Sequence, residues 1–271
     1  MLSFPLQTLK ILNLTDMYNP FSLENKVIIV TGASSGIGAQ CAIDCSKMGA
    51  NVVLVARNEE RLKHTLELCE DPSRHMILPL DLSTSEGLKE TIKEVVAKMG
   101  KISGVVNCAG MSSVTPLKLV TDELLDQFFH TNVYSAINLS REVTRVGNYD
   151  KEGGCSIIFF ASIMGICGDK CKTVYSATKG ALISAARSMA CELAKNKIRV
   201  NVVSPGAIET PINAKLPHMA DPGLRKELEE KHLLGLGECS DISNACIYLL
   251  SNASRWITGQ NLVVDGGYSC R

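Results

Sequence analysis

The chain has 271 residues, with 28 basic and 28 acidic side chains and a formal net charge of zero. This balance argues against nucleic acid or an anionic membrane as a partner, and a hydrophobic fraction of 45% argues against disorder. No apolar run reaches the roughly 18 residues that a membrane-spanning helix requires. Neither a linker nor an internal repeat divides the chain, so we predict one domain with a large core.

The cysteines and histidines indicate neither a metal site nor a disulfide framework. Eleven cysteines are scattered along the chain without a Cys-x-x-Cys pair, and five histidines form no ligand pattern. We interpret the cysteines as small buried side chains of a protein in the reducing cytoplasm. No metal is therefore predicted.

The first 23 residues are predicted to form an N-terminal extension to a domain that spans residues 24–271. Residues 1–16 lack the basic start and the cleavage site of a signal peptide. Met17 offers an alternative start just before the first strand, so residues 1–16 are interpreted as an upstream-start extension or a surface appendage.

From residue 26 onwards, short β-branched runs alternate with longer helical patterns. Continuous rather than alternating apolar runs are typical of parallel strands that are covered on both faces. Strands are predicted at residues 26–30, 51–55, 76–80, 104–107, 156–160, 199–203 and 260–264. Helices are predicted at residues 37–48, 59–70, 86–98, 122–145, 176–195 and 241–251. The prediction is a single-domain α/β fold, a Rossmann-type doubly wound parallel sheet of seven strands with helices on both faces.

Residues 31–38, with the sequence TGASSGIG, form the predicted turn between the first strand and the first helix. Glycines in such a turn let the backbone approach a pyrophosphate, whose charge is bound by the free N–H groups of the helix. The spacing differs from the common G-x-G-x-x-G pattern, and the turn lacks the Lys-Ser/Thr ending of an ATP or GTP loop. Its place after the first strand of a βαβ series predicts a dinucleotide site.

The end of the second strand indicates which dinucleotide is bound. An NAD enzyme would place an acid about 20 residues after the glycine turn, whereas this chain has Ala56 followed by Arg57. A guanidinium can pair with a 2′-phosphate, so NADP(H) is the predicted preference, with NAD(H) as the alternative. In the other interpretation, Arg57 is a solvated loop residue like Arg61.

Ser162, Tyr175 and Lys179 are the candidate groups for chemistry. Ser162 follows the fifth predicted strand, and Tyr175 and Lys179 stand four residues apart, on one face of the next helix. A phenol with an ordinary pKa near 10 is a poor proton-transfer group, and a cation about 4 Å away would lower that pKa by roughly two to three units. The set predicts hydride transfer between nicotinamide and a carbonyl or alcohol, with Tyr175 as acid/base and Ser162 holding the substrate oxygen.

With further short motifs, the chain resembles the short-chain dehydrogenase/reductase family over about residues 24–268. These motifs are Asp81-Leu82, Asn107-Cys108-Ala109-Gly110, Asn132, Pro205-Gly206 and, in residues 258–267, TGQ and VDGG. The resemblance implies a catalytic tetrad of Asn132, Ser162, Tyr175 and Lys179. It also implies that Asp81 meets the adenine amine and that Ile208 and Thr210 face the nicotinamide. The predicted cofactor site comprises Gly32, Ser34, Ser35, Gly36, Ile37, Gly38, Arg57, Asn58, Asp81, Leu82, Asn107, Ala109, Gly110, Tyr175, Lys179, Pro205, Gly206, Ile208 and Thr210.

Three positions in this pattern need separate comment. Asn132, inside the predicted helix 122–145, either makes a hydrogen bond across the core or, as the resemblance implies, marks a helix distortion whose carbonyl binds a water connected to Lys179. Cys108 stands where the family usually has Asn, and Ser35 where many NADP(H) members have a basic residue. The departure at Ser35 leaves the cofactor preference dependent on Arg57.

The substrate is the least determined part of the prediction. Residues 207–237 resemble a mobile lid whose sequence varies with function, and residues 111–119 are the other expected wall. The overall pattern resembles 3-oxoacyl-acyl-carrier-protein reductases, so an acyl thioester is the specific prediction, although the segment after Gly110 departs from theirs. Hydroxysteroid, sugar and small-ketone dehydrogenases are alternatives. A non-catalytic dinucleotide-sensing protein is an alternative of another class, but such proteins commonly lose the Tyr or the Lys.

Small residues on the helix that follows Tyr175 predict self-association. Ala181, Ser184, Ala185 and Ser188 would allow a close helix–helix approach between subunits. Because the family often assembles through this helix, we expect a homo-oligomer, either a tetramer or a dimer.

Overall fold

The computed structural model describes residues 18–210 and 217–270, and this part of the chain contains one sheet of seven parallel strands. The strands are β1 (Val27–Thr31), β2 (Asn51–Ala56), β3 (Met76–Pro79), β4 (Ile102–Asn107), β5 (Cys155–Phe160), β6 (Ile198–Pro205) and β7 (Asn261–Val264). Their order across the sheet is β3-β2-β1-β4-β5-β6-β7. All seven predicted strands are confirmed, with ends displaced by one or two residues.

The helices cover both faces of this sheet. They are α1 (Gly36–Lys47), α2 (Glu59–Glu67), α3 (Leu88–Met99), α4 (Asp122–Phe129), α5 (Ser135–Val143), α6 (Thr173–Leu193), α7 (Pro217–Ala220), α8 (Pro222–Lys231) and α9 (Cys239–Leu250). Two predicted helices differ in detail. Helix α2 ends before residue 70, and a π-helical turn over His130–Tyr134 divides the predicted helix 122–145 into α4 and α5.

The core consists of two apolar layers, one on each side of the sheet. Alternate residues of β1 point to opposite faces: Val27 and Ile29 pack with α3, α5 and α6, whereas Ile28 and Val30 pack with α1, α2 and α9. Burial of both faces explains why the strands are continuous β-branched runs. The predicted doubly wound fold with a single core is confirmed.

The order of the strands creates a crevice at the middle of the sheet. The chain runs from β1 outwards to β3 and then returns to pair β4 with the free side of β1. Loops that leave β1 and β4 therefore depart in opposite directions at their carboxyl ends. In open α/β sheets this reversal is where ligands bind.

The packed part of the chain begins before the predicted boundary at residue 24. Leu23 is fully buried, and its N–H donates to the Met48 carbonyl oxygen at 2.9 Å. The carbonyl of Pro20 accepts a hydrogen bond from the N–H of Ala253 at 3.0 Å. The predicted appendage over residues 1–16 lies outside the described residues.

Residues 18–210 and 217–270 contain neither a membrane-spanning helix nor a cluster of metal-binding side chains. Within those ranges, no helix combines the length and the apolar composition needed to cross a membrane. In the same ranges, His, Cys, Asp and Glu side chains form no group of three or more that could hold a metal ion.

Candidate active site

The crevice at the carboxyl ends of β1 and β4 opens into a cavity of about 460 Å³. Almost every residue predicted to bind the cofactor lines it: Gly32, Ser34, Ser35, Gly36, Ile37, Gly38, Arg57, Asn58, Asp81, Leu82, Ala109, Gly110, Tyr175, Lys179, Pro205, Gly206, Ile208 and Thr210. Ser162 lines the same cavity. The fold thus brings the residues predicted for the nucleotide and for the chemistry into one crevice.

Two predicted site residues, Asn107 and Asn132, lie behind the cavity wall rather than on it. Asn107 is 4% exposed, and its Nδ2 donates to the Ile158 carbonyl oxygen at 3.3 Å. Its Oδ1 has no hydrogen-bond partner in the part of the chain that the structure describes. Because the side chain points from β4 towards β5, it joins two strands. The side chain of Asn107 thus supports the site from beneath, and its contact with the cofactor stays a prediction.

Two glycines shape the turn between β1 and α1. Gly32 has a φ of +66°, and a Cβ there would lie 3.1 Å from backbone atoms of Ala109. A Cβ on Gly38 would lie 2.3 Å from the carbonyl oxygen of Gly32, which is closer than real carbon contacts allow. The Ala109 N–H donates to Thr31 Oγ1 at 2.9 Å and ties this turn to the loop after β4. The backbone can therefore approach a ligand closely at the N-terminus of α1.

Charged side chains of both signs line the cavity beyond β2 and β3. Arg57 and Arg61 stand on one side and Asp81 on the other. Hydrogen bonds from Ser83, together with the charge of Arg57, lower the pKa of the Asp81 carboxyl. Arg61, interpreted from the sequence as solvated, is exposed as expected; it also lines the cavity from the first turn of α2, where Asn58 Oδ1 accepts its backbone N–H at 2.9 Å. The predicted helix from residue 59, which starts directly after the second strand, was the feature of the sequence that could have indicated Arg61 as a residue of the cavity wall.

Asn132 lies in the π-helical turn and is 1% exposed. Its Oδ1 accepts the Met111 N–H at 2.8 Å, and its Nδ2 donates to the Met111 carbonyl oxygen and to Thr178 Oγ1, both at 3.1 Å. The amide therefore bonds across the core and the helix is distorted here, whereas the link from the Asn132 carbonyl through a water to Lys179 stays a prediction. These contacts connect the π turn, the loop after β4 and helix α6.

Ser162 and Tyr175 meet on the cavity wall. Ser162 follows β5 by two residues, and its Oγ accepts the Met164 N–H at 3.2 Å. Tyr175 lies in the first turn of α6. Burial raises the pKa of the Tyr175 phenol, and a hydrogen bond with the Ser162 side chain opposes that rise. Because the net shift is upward, the phenol is protonated at neutral pH and is available as a proton donor.

Lys179 is the third member of this group. It is 5% exposed, and its Nζ lies 5.5 Å from the centroid of the Tyr175 ring and donates to the Phe160 carbonyl oxygen at 2.8 Å. Burial lowers the pKa of Lys179 to about 8, against an opposing influence of Cys108. The pKa of the Tyr175 phenol is thus raised by burial rather than lowered as the sequence-based expectation had it, for the protein's own groups without a cofactor.

Further wall residues were identified only in part from the sequence. Within the expected wall over residues 111–119, Met111 and Ser112 line the cavity. Thr131 and Ser135, from the π turn and the start of α5, line it as well. No sequence pattern pointed to these two residues, because the predicted uninterrupted helix gave no indication of which side faces the crevice.

Contacts within the segment over residues 207–237 join α8 and the residue after it to the start of the segment. Glu209 and Arg225 form an ion pair, and Arg225 Nε also donates to Glu229 Oε1 at 2.9 Å. His232 is 3% exposed, and its Nε2 accepts the Ala207 N–H at 3.1 Å. These contacts hold α8 next to the part of the cavity wall that follows β6.

Comparison with known proteins agrees with this geometry. A family model described as enoyl-(acyl carrier protein) reductase matches residues 32–269. The chain is 33% identical over 247 residues to the 3-oxoacyl-[acyl-carrier-protein] reductase of Thermotoga maritima, a match that covers 90% of this chain and 98% of that protein.

Solved structures show the same arrangement. A gluconate 5-dehydrogenase from Burkholderia cenocepacia J2315, in complex with NADP and tartrate, superposes with a TM-score of 0.86 at 26% identity, covering 93% of this chain and 98% of that one. A 4-hydroxyisoleucine dehydrogenase complexed with NADH superposes with a TM-score of 0.82 at 28% identity, and the match covers 91% of this chain and 99% of that one. With the glycine turn, the Ser162–Tyr175–Lys179 group and a family match over most of its length, the chain belongs to the short-chain dehydrogenase/reductase family of oxidoreductases.

Proposed function

We propose that this protein is an NADP(H)-dependent oxidoreductase that transfers a hydride between nicotinamide and a carbonyl or alcohol substrate. The observation that carries the proposal is the meeting of Ser162, Tyr175 and Lys179 on the wall of the cavity that begins at the glycine turn. Relatives described with NADP or NADH support a nicotinamide dinucleotide as the cofactor.

The residues at the nucleotide end fit such a cofactor. The turn over residues 31–38 has glycine where a side chain would clash with neighbouring backbone, and the N-terminus of α1 that follows it would meet the charge of a pyrophosphate. Arg57 and Arg61 offer two guanidinium groups for a 2′-phosphate, which is why we favour NADP(H) over NAD(H). When bound, the nicotinamide supplies or accepts the hydride.

The proposed roles of the side chains follow from their contacts. Ser162 holds the substrate oxygen by a hydrogen bond, while the Tyr175 hydroxyl donates its proton to that oxygen as the carbonyl carbon gains a hydride. The upward shift in the pKa of Tyr175 keeps the phenol protonated, which is the form that donates the proton in reduction. Lys179 provides the cation beside the ring, and Asn132 positions the π turn against α6.

The substrate class is proposed from similarity. Identity with 3-oxoacyl-[acyl-carrier-protein] reductase makes an acyl thioester the first candidate. The relatives that act on gluconate and 4-hydroxyisoleucine favour a small hydroxy acid as the second candidate. Hydroxysteroids and small ketones stay in the set of candidate substrates, and the presence of both Tyr175 and Lys179 argues against a non-catalytic dinucleotide sensor.

Residues 207–237 are proposed as the substrate lid. In this segment an exposed ion pair of Glu209 with Arg225 joins α8 to the chain that follows β6, beside the buried contact of His232 with Ala207. Exposed ion pairs contribute little to stability, so this contact can break and re-form as substrate enters. The domain proper is proposed to begin near residue 20, where contacts with the domain start.

A homo-oligomer assembled through α6 completes the proposal. Its exposed side includes Ala177, Ser184 and Ser188, which are small enough for a second helix to approach closely. We place the protein in the reducing cytoplasm, in keeping with cysteines that are all free. Sedimentation that shows only monomer at micromolar concentration would exclude the assembly.

A rate survey tests the proposed reaction. Oxidation of NADPH and of NADH would be followed with acetoacetyl thioesters, ketosteroids, keto-sugars, diketones and short oxo acids. We expect turnover with at least one class and a preference for NADPH. Binding of NADPH without oxidation by any class would favour the dinucleotide sensor instead.

A further inference from the structure

A second buried lysine, Lys172, lies behind the wall at the reaction end of the cavity, next to Tyr175. Lys172 immediately precedes α6 and is 7% exposed. Its Nζ lies 5.6 Å from the centroid of the Tyr175 ring, almost the same distance as Lys179 Nζ. Lys172 precedes Tyr175 by three residues and Lys179 follows it by four. The Tyr175 ring therefore has two ammonium groups near it, one from each side along the chain.

The contacts of Lys172 place its ammonium directly behind residues of the cavity wall. Nζ donates to Ser112 Oγ at 3.3 Å and to the Ser113 carbonyl oxygen at 3.1 Å. Ser112 is a wall residue of the cavity, as is Tyr175. The ammonium is therefore bonded to one wall residue and placed beside another, with two protein acceptors for its three N–H groups within the described residues.

No acidic side chain neutralises this ammonium in the part of the chain that the structure describes. None of the ion pairs within 4.0 Å there involves Lys172. Burial lowers the pKa of Lys172, and the charge of Asp169 opposes this without forming an ion pair. Residues 211–216 of the proposed lid, with the sequence PINAKL, contain no acid either. A buried, unpaired charge is unfavourable, so a group that brings a negative charge would be bound strongly here.

We propose that Lys172 binds a carboxylate of the substrate and so selects a small hydroxy acid or oxo acid. This inference rests on the proposed function, because it places the carboxylate a few bonds from the carbonyl that Tyr175 and Ser162 hold. A single ammonium matches the single charge of a carboxylate better than the double charge of a phosphate ester. A neutral ketone or an acyl thioester would leave the lysine unpaired, so the acids are preferred over the thioesters suggested by sequence similarity.

Matched pairs of substrates test this assignment. Rates of NADPH oxidation would be measured with pyruvate, acetoacetate and levulinate and with their methyl esters, which keep the oxo group but replace the negative charge with a methyl group. Acetoacetyl thioester gives a further comparison at the same oxo group. The proteins would be the wild type, Lys172→Gln, Lys172→Arg and, as a matched control, Lys170→Gln, which removes an exposed lysine two residues away. Calorimetric titration of acetoacetate into NADPH-loaded protein provides a measurement that does not depend on turnover.

We expect the wild type to prefer an acid over its ester by about tenfold or more in kcat/KM, mostly through KM. Lys172→Gln should abolish that preference while leaving the KM of the ester unchanged, Lys172→Arg should restore part of it, and Lys170→Gln should behave as the wild type. An equal loss for acid and ester in Lys172→Gln would indicate a purely structural lysine and overturn the inference.

The remaining outcomes separate this inference from the proposed function. If esters or the thioester are reduced at least as well as the acids, the carboxylate assignment fails and the oxidoreductase proposal stands. If acetoacetate binds in a Lys172-dependent manner but no compound is reduced, the proposed function fails and the anion site stands. If nothing is reduced and no acid binds, both fail.

Discussion

The two ends of the cavity are built in different ways. At the nucleotide end, one continuous segment, residues 31–38, presents backbone groups, and its neighbours approach so closely that only glycine fits at residues 32 and 38. At the reaction end, side chains come from the loop after β5, from α6 and from the loop after β4. The first end depends on shape and the second on the chemistry of single groups.

This difference predicts how substitutions act. A change at the nucleotide end should disturb the backbone and therefore binding and stability together. A change at the reaction end should remove one chemical group and leave the fold intact, because those side chains occupy a cavity wall rather than the interior of the core. The following predictions test that contrast, beginning with the largest expected effect.

Tyr175→Phe should reduce turnover by about 10²–10⁴-fold, because it removes the proton donor and nothing else. Affinity for NADPH should stay within about twofold, since the ring that lines the cavity is retained. Steady-state rates and calorimetric titration of NADPH would measure the two effects. Tyr134→Phe, which alters an exposed ring outside the cavity, is the matched control. Unchanged turnover in Tyr175→Phe would contradict the proposed mechanism.

Gly38→Ala should impair binding and stability together. The added Cβ would lie 2.3 Å from the Gly32 carbonyl oxygen, so the backbone must shift. We expect the free energy of unfolding to fall by about 1–3 kcal/mol and NADPH affinity to fall at least about tenfold. Urea denaturation and calorimetric titration would measure these. Gly168→Ala adds a methyl group where nothing lies within 4 Å, and it should change neither quantity.

Lys179→Met should change how stability depends on pH. Burial lowers the pKa of Lys179 from 10.5 to about 8, so between these values the unfolded chain binds more protons than the folded protein. The free energy of unfolding of the wild type minus that of the variant should therefore increase as the pH rises through this window, by about 3 kcal/mol at most. Below the window this difference should not depend on pH.

Denaturation of both proteins at a series of pH values, with the exposed Lys195→Met as the control for loss of a charge, would measure that difference. A relative stability that falls with pH across this window would show that the ammonium is stabilised in the fold. That result would conflict with a buried lysine that has no acidic partner.

Arg57→Ala should reduce the preference for NADPH over NADH by about tenfold, with turnover at saturating NADPH unchanged. Arg61→Ala should have a similar but smaller effect, since its guanidinium lines the same end of the cavity. Competition of the two cofactors in steady-state assays would measure the preference. Lys63→Ala, on the same helix but absent from the cavity wall, is the control. A preference that survives both arginine substitutions would contradict their proposed contact with a 2′-phosphate.

Much of the fold and of the site could be predicted because the signals are local. Each parallel strand buries both faces, so its sequence is a continuous apolar run. The glycine turn of a dinucleotide site follows the first of these strands. The spacing of Tyr175 and Lys179 likewise follows from one turn of a helix. The π turn at Asn132 could not be read from periodicity, because a single extra residue in a helix leaves the apolar pattern almost unchanged.

The amino-acid sequence by itself determined the doubly wound sheet, the position of the crevice and the identity of the groups around it. Only the tertiary structure decided how those groups behave. Burial under elements that are distant in sequence raises the pKa of Tyr175 and lowers the pKa of Lys179. The same packing places Lys172 beside Ser112, where it has no acidic partner among the described residues. Desolvation depends on what packs around a group in space, and neighbours that are separated by tens of residues along the chain cannot be identified from its local pattern.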